Sequence, residues 1–196
     1  ELRDLLQVTS FNQAFPITYI AYGNLDFGTV KGFTLEYELR RTNNFQLDAN
    51  YTMQFADGTG SGATSGLSLA NAGQPNLRYI LPLSYDRRHQ ITVRMDYRFS
   101  RGSRYNGPVW WNKRVFESAG VNFVMNALSG APYTKRVDFR SNAQIDGQIN
   151  GSRLPWQVTF DARINKMFNL KKGNRSIEVY VQILNVFNTQ NITSVY

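Results

Sequence analysis

Trp156-Gln157-Val158-Thr159-Phe160-Asp161-Ala162-Arg163-Ile164-Asn165, answered after a short polar turn by Ile177-Glu178-Val179-Tyr180-Val181-Gln182-Ile183, decides the fold class. One face of this pair is wholly apolar: Trp156, Val158, Phe160, Ala162 and Ile164, then Ile177, Val179, Val181 and Ile183. The other face carries Gln157, Thr159, Asp161, Arg163, Asn165, Glu178, Tyr180 and Gln182. The period of two holds over ten residues and then over seven, which marks strands with unlike surroundings on their two sides. The turn between them contains Lys171-Lys172-Gly173-Asn174. Long alternating strands joined tightly suit the wall of a β-barrel, with lipid on one side and water on the other.

Five further segments read as strands, 2–8, 30–40, 45–55, 89–99 and 119–128, and the last four alternate in the same way. In the second of these Phe33, Leu35, Tyr37 and Leu39 oppose Thr34, Glu36, Glu38 and Arg40. The segment 119–128 is less regular, because Val124 and Leu128 fall on its polar side. Pairing Leu39 with Leu47 across Arg41-Thr42-Asn43-Asn44 keeps both apolar sets on one face and so fixes that hairpin's register. The expected lipid face carries Leu35, Tyr37, Leu47, Tyr51, Val93, Met95, Val158, Phe160, Val179 and Val181. The expected lumen face carries Glu36, Glu38, Arg40, Asp48, Arg94, Asp96, Arg98, Asp161 and Arg163.

Composition agrees with this reading. The chain has 196 residues, enough for one domain or part of a larger one. It is 42% hydrophobic and 14% aromatic with 18% charged residues, which excludes disorder. No window approaches the roughly 18 apolar residues of a transmembrane helix. The mean hydropathy of -0.40 is compatible with a barrel, because alternation hides the apolar half. There is no cysteine, hence no disulfide framework and no thiolate metal site. The net charge of +8 raises nucleic acid or anionic lipid as partners. The basic residues form no single block, so no nucleic-acid partner is expected. Leu2-Arg3-Asp4-Leu5-Leu6-Gln7-Val8 reads as a strand already under way, and a piece of a longer chain is expected.

A soluble β-sandwich also alternates apolar-in and polar-out. Three features favour the barrel. The strands run about 10–11 residues, against about 5–6 in ordinary globular proteins. Opposite charges share the polar faces, as in a watery lumen. Short turns alternate with long polar loops, 57–85 and 134–154, the asymmetry of outer-membrane barrels. One connection departs from the rule: 100–118 belongs to the short-turn end yet is long, and it contains Pro108, Trp110 and Trp111. Those tryptophans suit a membrane–water boundary. Phe33, Phe45, Phe55, Phe99, Trp156 and Phe168 gather towards strand ends, as interfacial girdles do.

Catalytic chemistry is not expected. Gly58-Thr59-Gly60-Ser61-Gly62 has the glycine content of a phosphate cradle but lacks the following Lys and helix start, so it reads as a flexible loop. His89 is the single histidine and is expected on the polar face or at the rim. Glu36, Glu38 and Asp48 invite a cation, but Arg40 and Arg98 nearby make lumen ion pairing the better reading. No cofactor and no metal are expected.

Asp161-Ala162-Arg163-Ile164-Asn165-Lys166-Met167-Phe168, a turn, and Val179-Tyr180-Val181-Gln182-Ile183-Leu184-Asn185-Val186-Phe187-Asn188 resemble the C-terminal end of TonB-dependent outer-membrane receptors. Asp26-Phe27-Gly28-Thr29-Val30-Lys31-Gly32-Phe33-Thr34-Leu35-Glu36-Tyr37 resembles the same family, and Asn50-Tyr51-Thr52 and Gly130-Ala131-Pro132-Tyr133-Thr134 fit it. The likeness is greatest to the Bacteroidota receptors that carry a carboxypeptidase-regulatory-like domain. The resemblance implies an all-β chain, residues 1–196 forming about seven strands of a barrel of twenty-two, with the plug and N-terminal region outside this chain. Tyr196 is then expected in a loop one strand short of the barrel's end. It implies a Gram-negative outer-membrane location, lipid as a partner, a TonB complex acting through the plug, an unidentified nutrient as substrate, and room for a surface lipoprotein partner. Two other classes stand beside it: a barrel that scaffolds a surface-protein complex, and a soluble β-sandwich module binding carbohydrate through Trp110 and Trp111.

Overall fold

The computed structural model describes residues 2–14, 16–72, 74, 79–138, 144–170 and 175–195. The turn at 171–174 and Tyr196 lie outside the described residues. Among those described, the strands are β1 (Leu2–Ala14), β2 (Ile17–Thr42), β3 (Phe45–Gly58), β4 (Leu81–Pro82), β5 (His89–Arg98), β6 (Ala119–Leu128), β7 (Pro132–Tyr133), β8 (Ser152–Arg153), β9 (Gln157–Asn169) and β10 (Ser176–Ile183). One short helix, α1 (Leu67–Asn71), lies in the first long loop.

All seven segments read as strands enter one antiparallel sheet in chain order, β1-β2-β3-β5-β6-β9-β10, with β4 beside β3. Leu39 pairs with Leu47, as the hydrophobic pattern requires. The same parity runs across the sheet. Tyr37 pairs with Ala49, Ala49 with Val93, Val93 with Met125 and Met125 with Phe160. Ile164 then pairs with Val181. One face is therefore apolar from β2 to β10, and the other is polar.

Two strands are longer than the alternation indicates. β1 runs on to Ala14 and β2 begins at Ile17, so β2 has 26 residues. Gly23, Asn24, Asp26 and Gly28 dilute the pattern there. What holds this hairpin is backbone pairing, from Leu6 with Asn24 to Phe11 with Tyr19, and the stacking of those two rings at 5.4 Å.

The tail after β10 turns back along the free half of β9. Asn185 and Asn188 take positive φ, 51° and 50°, a conformation asparagine tolerates. The Asn185 N–H donates to the Asp161 carboxylate and the Val186 N–H to the Phe160 carbonyl. The Asn191 side-chain amide imitates a strand backbone: its oxygen accepts from Val158 N–H at 2.9 Å and its nitrogen donates to Val158 C=O at 3.1 Å.

The sheet is not closed on itself, and β1 and β10 form its edges. Its apolar face is largely uncovered among the described residues, with Leu35 and Val181 each 60% exposed, and the tail covers it only locally, where Phe187 meets Phe160 edge-on at 4.9 Å. Buried apolar residues lie mostly at the long-loop end, where Val8, Ala56, Ala70, Leu83 and Leu154 pack. Unpaired edges and a bare apolar face both promote association. The 196-residue chain expressed alone should therefore form large species in size-exclusion chromatography with light scattering. A monodisperse, cooperatively melting monomer would contradict this.

Candidate functional site at the long-loop end

The long loops meet over one end of the sheet, and a single carboxylate ties them together. After β4 the chain bends at Leu83 and returns through Asp86, whose side chain is 1% exposed. Its Oδ1 accepts the Ala56 N–H of β3 at 2.9 Å. The Arg153 guanidinium, from β8 in the second long loop, donates to the Asp86 carboxylate and to its backbone carbonyl. Arg88 stands 3.7 Å from the same carboxylate. Arg87 reaches the other way, to the Ser129 carbonyl and to Gln157 at 3.0 Å. Ser129 in turn accepts the His89 N–H. Here Gly130 lies so close to Leu154 that a Cβ would fall 1.6 Å from the Leu154 carbonyl oxygen.

Beside this anchor the glycine-rich loop closes on the β1–β2 hairpin. Asp26, only 5% exposed, accepts from Gln7 at 2.9 Å and from the Thr59 hydroxyl at 3.1 Å. Burial pushes the Asp26 carboxyl above the usual carboxylate range, against the opposing pull of the Thr59 and Gln7 hydrogen bonds. Gly60 passes against it, and a Cβ there would lie 2.3 Å from Asp26 Oδ2. The Gln7 side-chain oxygen Oε1 accepts the Val8 and Gly66 N–H groups. These residues edge a cavity of about 210 Å³ whose lining includes Ser61, Ser65, Leu83 and Asn150. Asn150 closes it by donating to the Pro82 carbonyl at 2.8 Å. The lining mixes the hydroxyls and amides of Gln7, Thr59, Ser61, Ser65 and Asn150 with the apolar side chains of Leu69, Leu81, Leu83 and Ile149, which suits a neutral ligand with both polar and apolar parts. The phosphate-cradle reading of 58–62 fails here, because α1 has five residues and the Gly62 N–H is taken by Ser65 Oγ.

His89 lies at the first residue of β5, at the rim, which is one of its two expected places, and on the apolar side, which corrects the other, the polar face. Register explains this: His89 pairs with Met53, two residues from Tyr51 on the same side. Its ring stacks between Tyr51, at 6.1 Å, and Trp156, at 5.7 Å, with a 2.9 Å hydrogen bond to the Tyr51 hydroxyl. Phe33 meets Tyr51 edge-on, so one aromatic row runs across β2, β3 and the start of β5 to Trp156, just before β9. At the opposite end Tyr97, Phe99, Tyr105, Phe116 and Trp110 form a second group.

The polar face is less fully paired than its sequence suggests. Arg98 approaches Asp96 at 4.0 Å, not Glu36, Glu38 or Asp48, and Arg41 approaches Asp96 at 2.5 Å. Glu38 faces Asp48 directly across the β2–β3 ladder, and Asp48 faces Arg94 on β5. Glu36 accepts from Asn50. Arg163 pairs with Glu178 at 3.4 Å and lies over the Tyr180 ring. Among the described residues no group of three His, Cys, Asp or Glu side chains could hold a metal ion. No family model, curated protein or solved structure matches the chain.

Arg153→Met should destabilise the loop end by about 3 kcal/mol, because it strands a buried carboxylate. The figure sits at the low end for a buried pair because Arg153 keeps 25% of its side chain in solvent. Denaturant melts with limited proteolysis of the loops measure it, and adding Asp86→Asn should cost less than the sum of the single changes. Asp26 gives a pH dependence of defined sign. Its raised folded-state pKa means the folded form binds the proton more tightly, so its stabilising contribution is full at acid pH and is lost as pH rises through the folded value. Hydrogen exchange at the Gly66 amide, corrected for intrinsic rate, should quicken over that interval, and Asp26→Asn should abolish the change.

Proposed function

We propose that this chain is a length of wall from a Gram-negative outer-membrane β-barrel, of the TonB-dependent receptor type that its sequence resembles. One observation carries the reading: an uncovered apolar face bordered at both ends by aromatic rows. On β5 the rows stand at His89 and Phe99, ten residues apart in sequence, or about 33 Å along a strand at about 3.3 Å per residue. A tilt of about 40° reduces that to about 25 Å, the height of the apolar band of outer-membrane barrels. A soluble sandwich would seat a second sheet about 10 Å above this face, and among the described residues none lies there. Lipid covers the apolar face, and further strands of the barrel pair with β1 and β10.

The work of such a wall is energised nutrient import without covalent chemistry. The polar face lines the lumen. The long loops and the cavity beside Asp26 receive the solute from outside. A plug, coupled to the TonB complex, opens the passage. The opposed Glu38 and Asp48, like charges directly across a ladder, cost stability, and they give the lumen a local preference for cationic or hydrogen-bond-donating groups.

A second reading keeps the wall and changes the role to a scaffold for a surface-protein complex. The length of β2 favours it: 26 residues reach about 85 Å, whereas about 9–11 residues cross the membrane. The β1–β2 hairpin would stand far outside, with Ile17, Tyr19, Ile20 and Tyr22 exposed near its tip.

Val93→Arg, on the apolar face, should cost about 2–4 kcal/mol of folding free energy in the intact protein, and Thr92→Arg, on the polar face, should cost little. Equal costs would remove the assignment of faces. For topology, cysteine at Ser65 should react with an impermeant thiol reagent on whole cells, and cysteine at Asn43 should not. The chain contains no competing cysteine. The reverse labelling pattern would turn the wall upside down and sink the uptake role.

A further inference from the structure

Two residues suffice to join antiparallel neighbours, yet residues 99–118 link β5 to β6. This connection is folded and tied down. The Gly102 N–H donates to Glu117 at 2.7 Å, Arg114 donates to the Gly102 carbonyl at 2.6 Å, and Asn44 of the β2–β3 turn donates to Asn106 at 2.7 Å. Phe116 packs against both Phe99 and Trp110. The loop leans towards the apolar side of the sheet. Phe99 extends the apolar set of β5 and meets Tyr97 edge-on, and Lys166, on the apolar face of β9, donates to the Val115 carbonyl.

At its tip Trp110 and Lys113 exchange both backbone hydrogen bonds, leaving Trp111 and Asn112 as the two turn residues. Both have positive φ, 44° and 59°, as the tight hairpin turn that favours Asn-Gly requires. Asparagine tolerates this and tryptophan does not, so Trp111 occupies a strained position. It is also 93% exposed. Strain and full exposure of the largest side chain are two costs with no return inside the chain. In the same loop Arg101, Arg104 and Lys113 are exposed, and among the described residues none is paired with an acid. The loop's one acid, Glu117, is occupied by Gly102.

We propose that residues 99–118 form a clamp on the membrane surface: Trp111, with Val109 and Trp110, sits at headgroup depth, while Arg101, Arg104 and Lys113 bind the phosphates of anionic phospholipids. This rests on the reading of the apolar face as lipid-covered. Continuity with that face puts the clamp beside the bilayer, and its uncompensated positive charge selects the anionic headgroup. Tryptophan is the side chain suited to a boundary with one wet and one apolar side. Each basic residue near an anionic surface raises membrane partitioning about fivefold.

The test uses the complete protein, reconstituted in vesicles of phosphatidylcholine alone or mixed with phosphatidylglycerol. A bimane label on Trp111→Cys, or on Val109→Cys should the first variant misfold, is quenched by lipids carrying a nitroxide at shallow or deep positions. A label on Val93→Cys monitors the wall in parallel. Shallow quenching at the tip should strengthen with phosphatidylglycerol, and changing Arg101, Arg104 and Lys113 together to Gln should abolish that increase. A tip open to aqueous iodide and unquenched by lipid, with Val93 deeply quenched, overturns the clamp and leaves the wall standing. A tip shielded from both quenchers means that protein covers it, and also overturns the clamp. A Val93 label in water removes the wall and the clamp together.

Discussion

The buried pair of Asp86 and Arg153 is what the long-loop end depends on. Its two residues lie 67 positions apart, and with Ala56 they join β3 and both long loops at one point. A carboxylate so enclosed is costly unless its oxygens are filled, and here a backbone amide and a guanidinium fill them. Arg87 and Arg88, its neighbours in sequence, extend the same junction to Ser129, Gln157 and the rim. The cavity beside Asp26 inherits its shape from this point, because Leu83 and Asn150 flank it on two sides. Ligand contact at this end would thus be made by loops whose bases are fixed, which keeps recognition adaptable without making it loose.

The sheet itself follows a different economy. An ordinary domain buries the apolar side of its sheet against a second layer. Here one apolar side runs from β2 to β10, with irregularities at Val124 and Leu128 of β6 and Lys166 of β9, and it meets no second sheet among the described residues. Aliphatic side chains and the rings of Tyr37, Phe123 and Phe160 share the middle of that side, and further aromatic rings stand at both borders.

Much of this was legible in the sequence. The sequence pattern located seven of the sheet's eight described strands, missing the two-residue β4, and one matched pair, Leu39 with Leu47, fixed a register that the other ladders continue. The parts that escaped have separate physical causes. The outer half of the β1–β2 hairpin places apolar residues on both sides, as in Ile17, Tyr19, Ile20 and Tyr22, so its sequence carries no clean alternation to read. Asp86 and Arg153 are brought together by loop geometry, and the ordinary sequence of those loops gives no sign of it. The rim position of His89 is legible from where the alternation of β5 begins, but its side is not the one its polar type suggests, because parity from Ile91 puts it on the apolar side. The expected pairing of Glu36, Glu38 and Asp48 with Arg40 and Arg98 failed because cross-strand register, not closeness in sequence, decides which side chains meet.

Each long strand of the sheet pairs only with its neighbours in chain order. Removing any two consecutive strands, β5 with β6 for example, would bring β3 beside β9 still antiparallel and with the apolar sides still matched. The hairpin is therefore the natural unit of gain and loss in this architecture. Perimeter can change by whole hairpins, through duplication or deletion of one contiguous stretch of gene, with no strand reversed and no side chain turned to the wrong side.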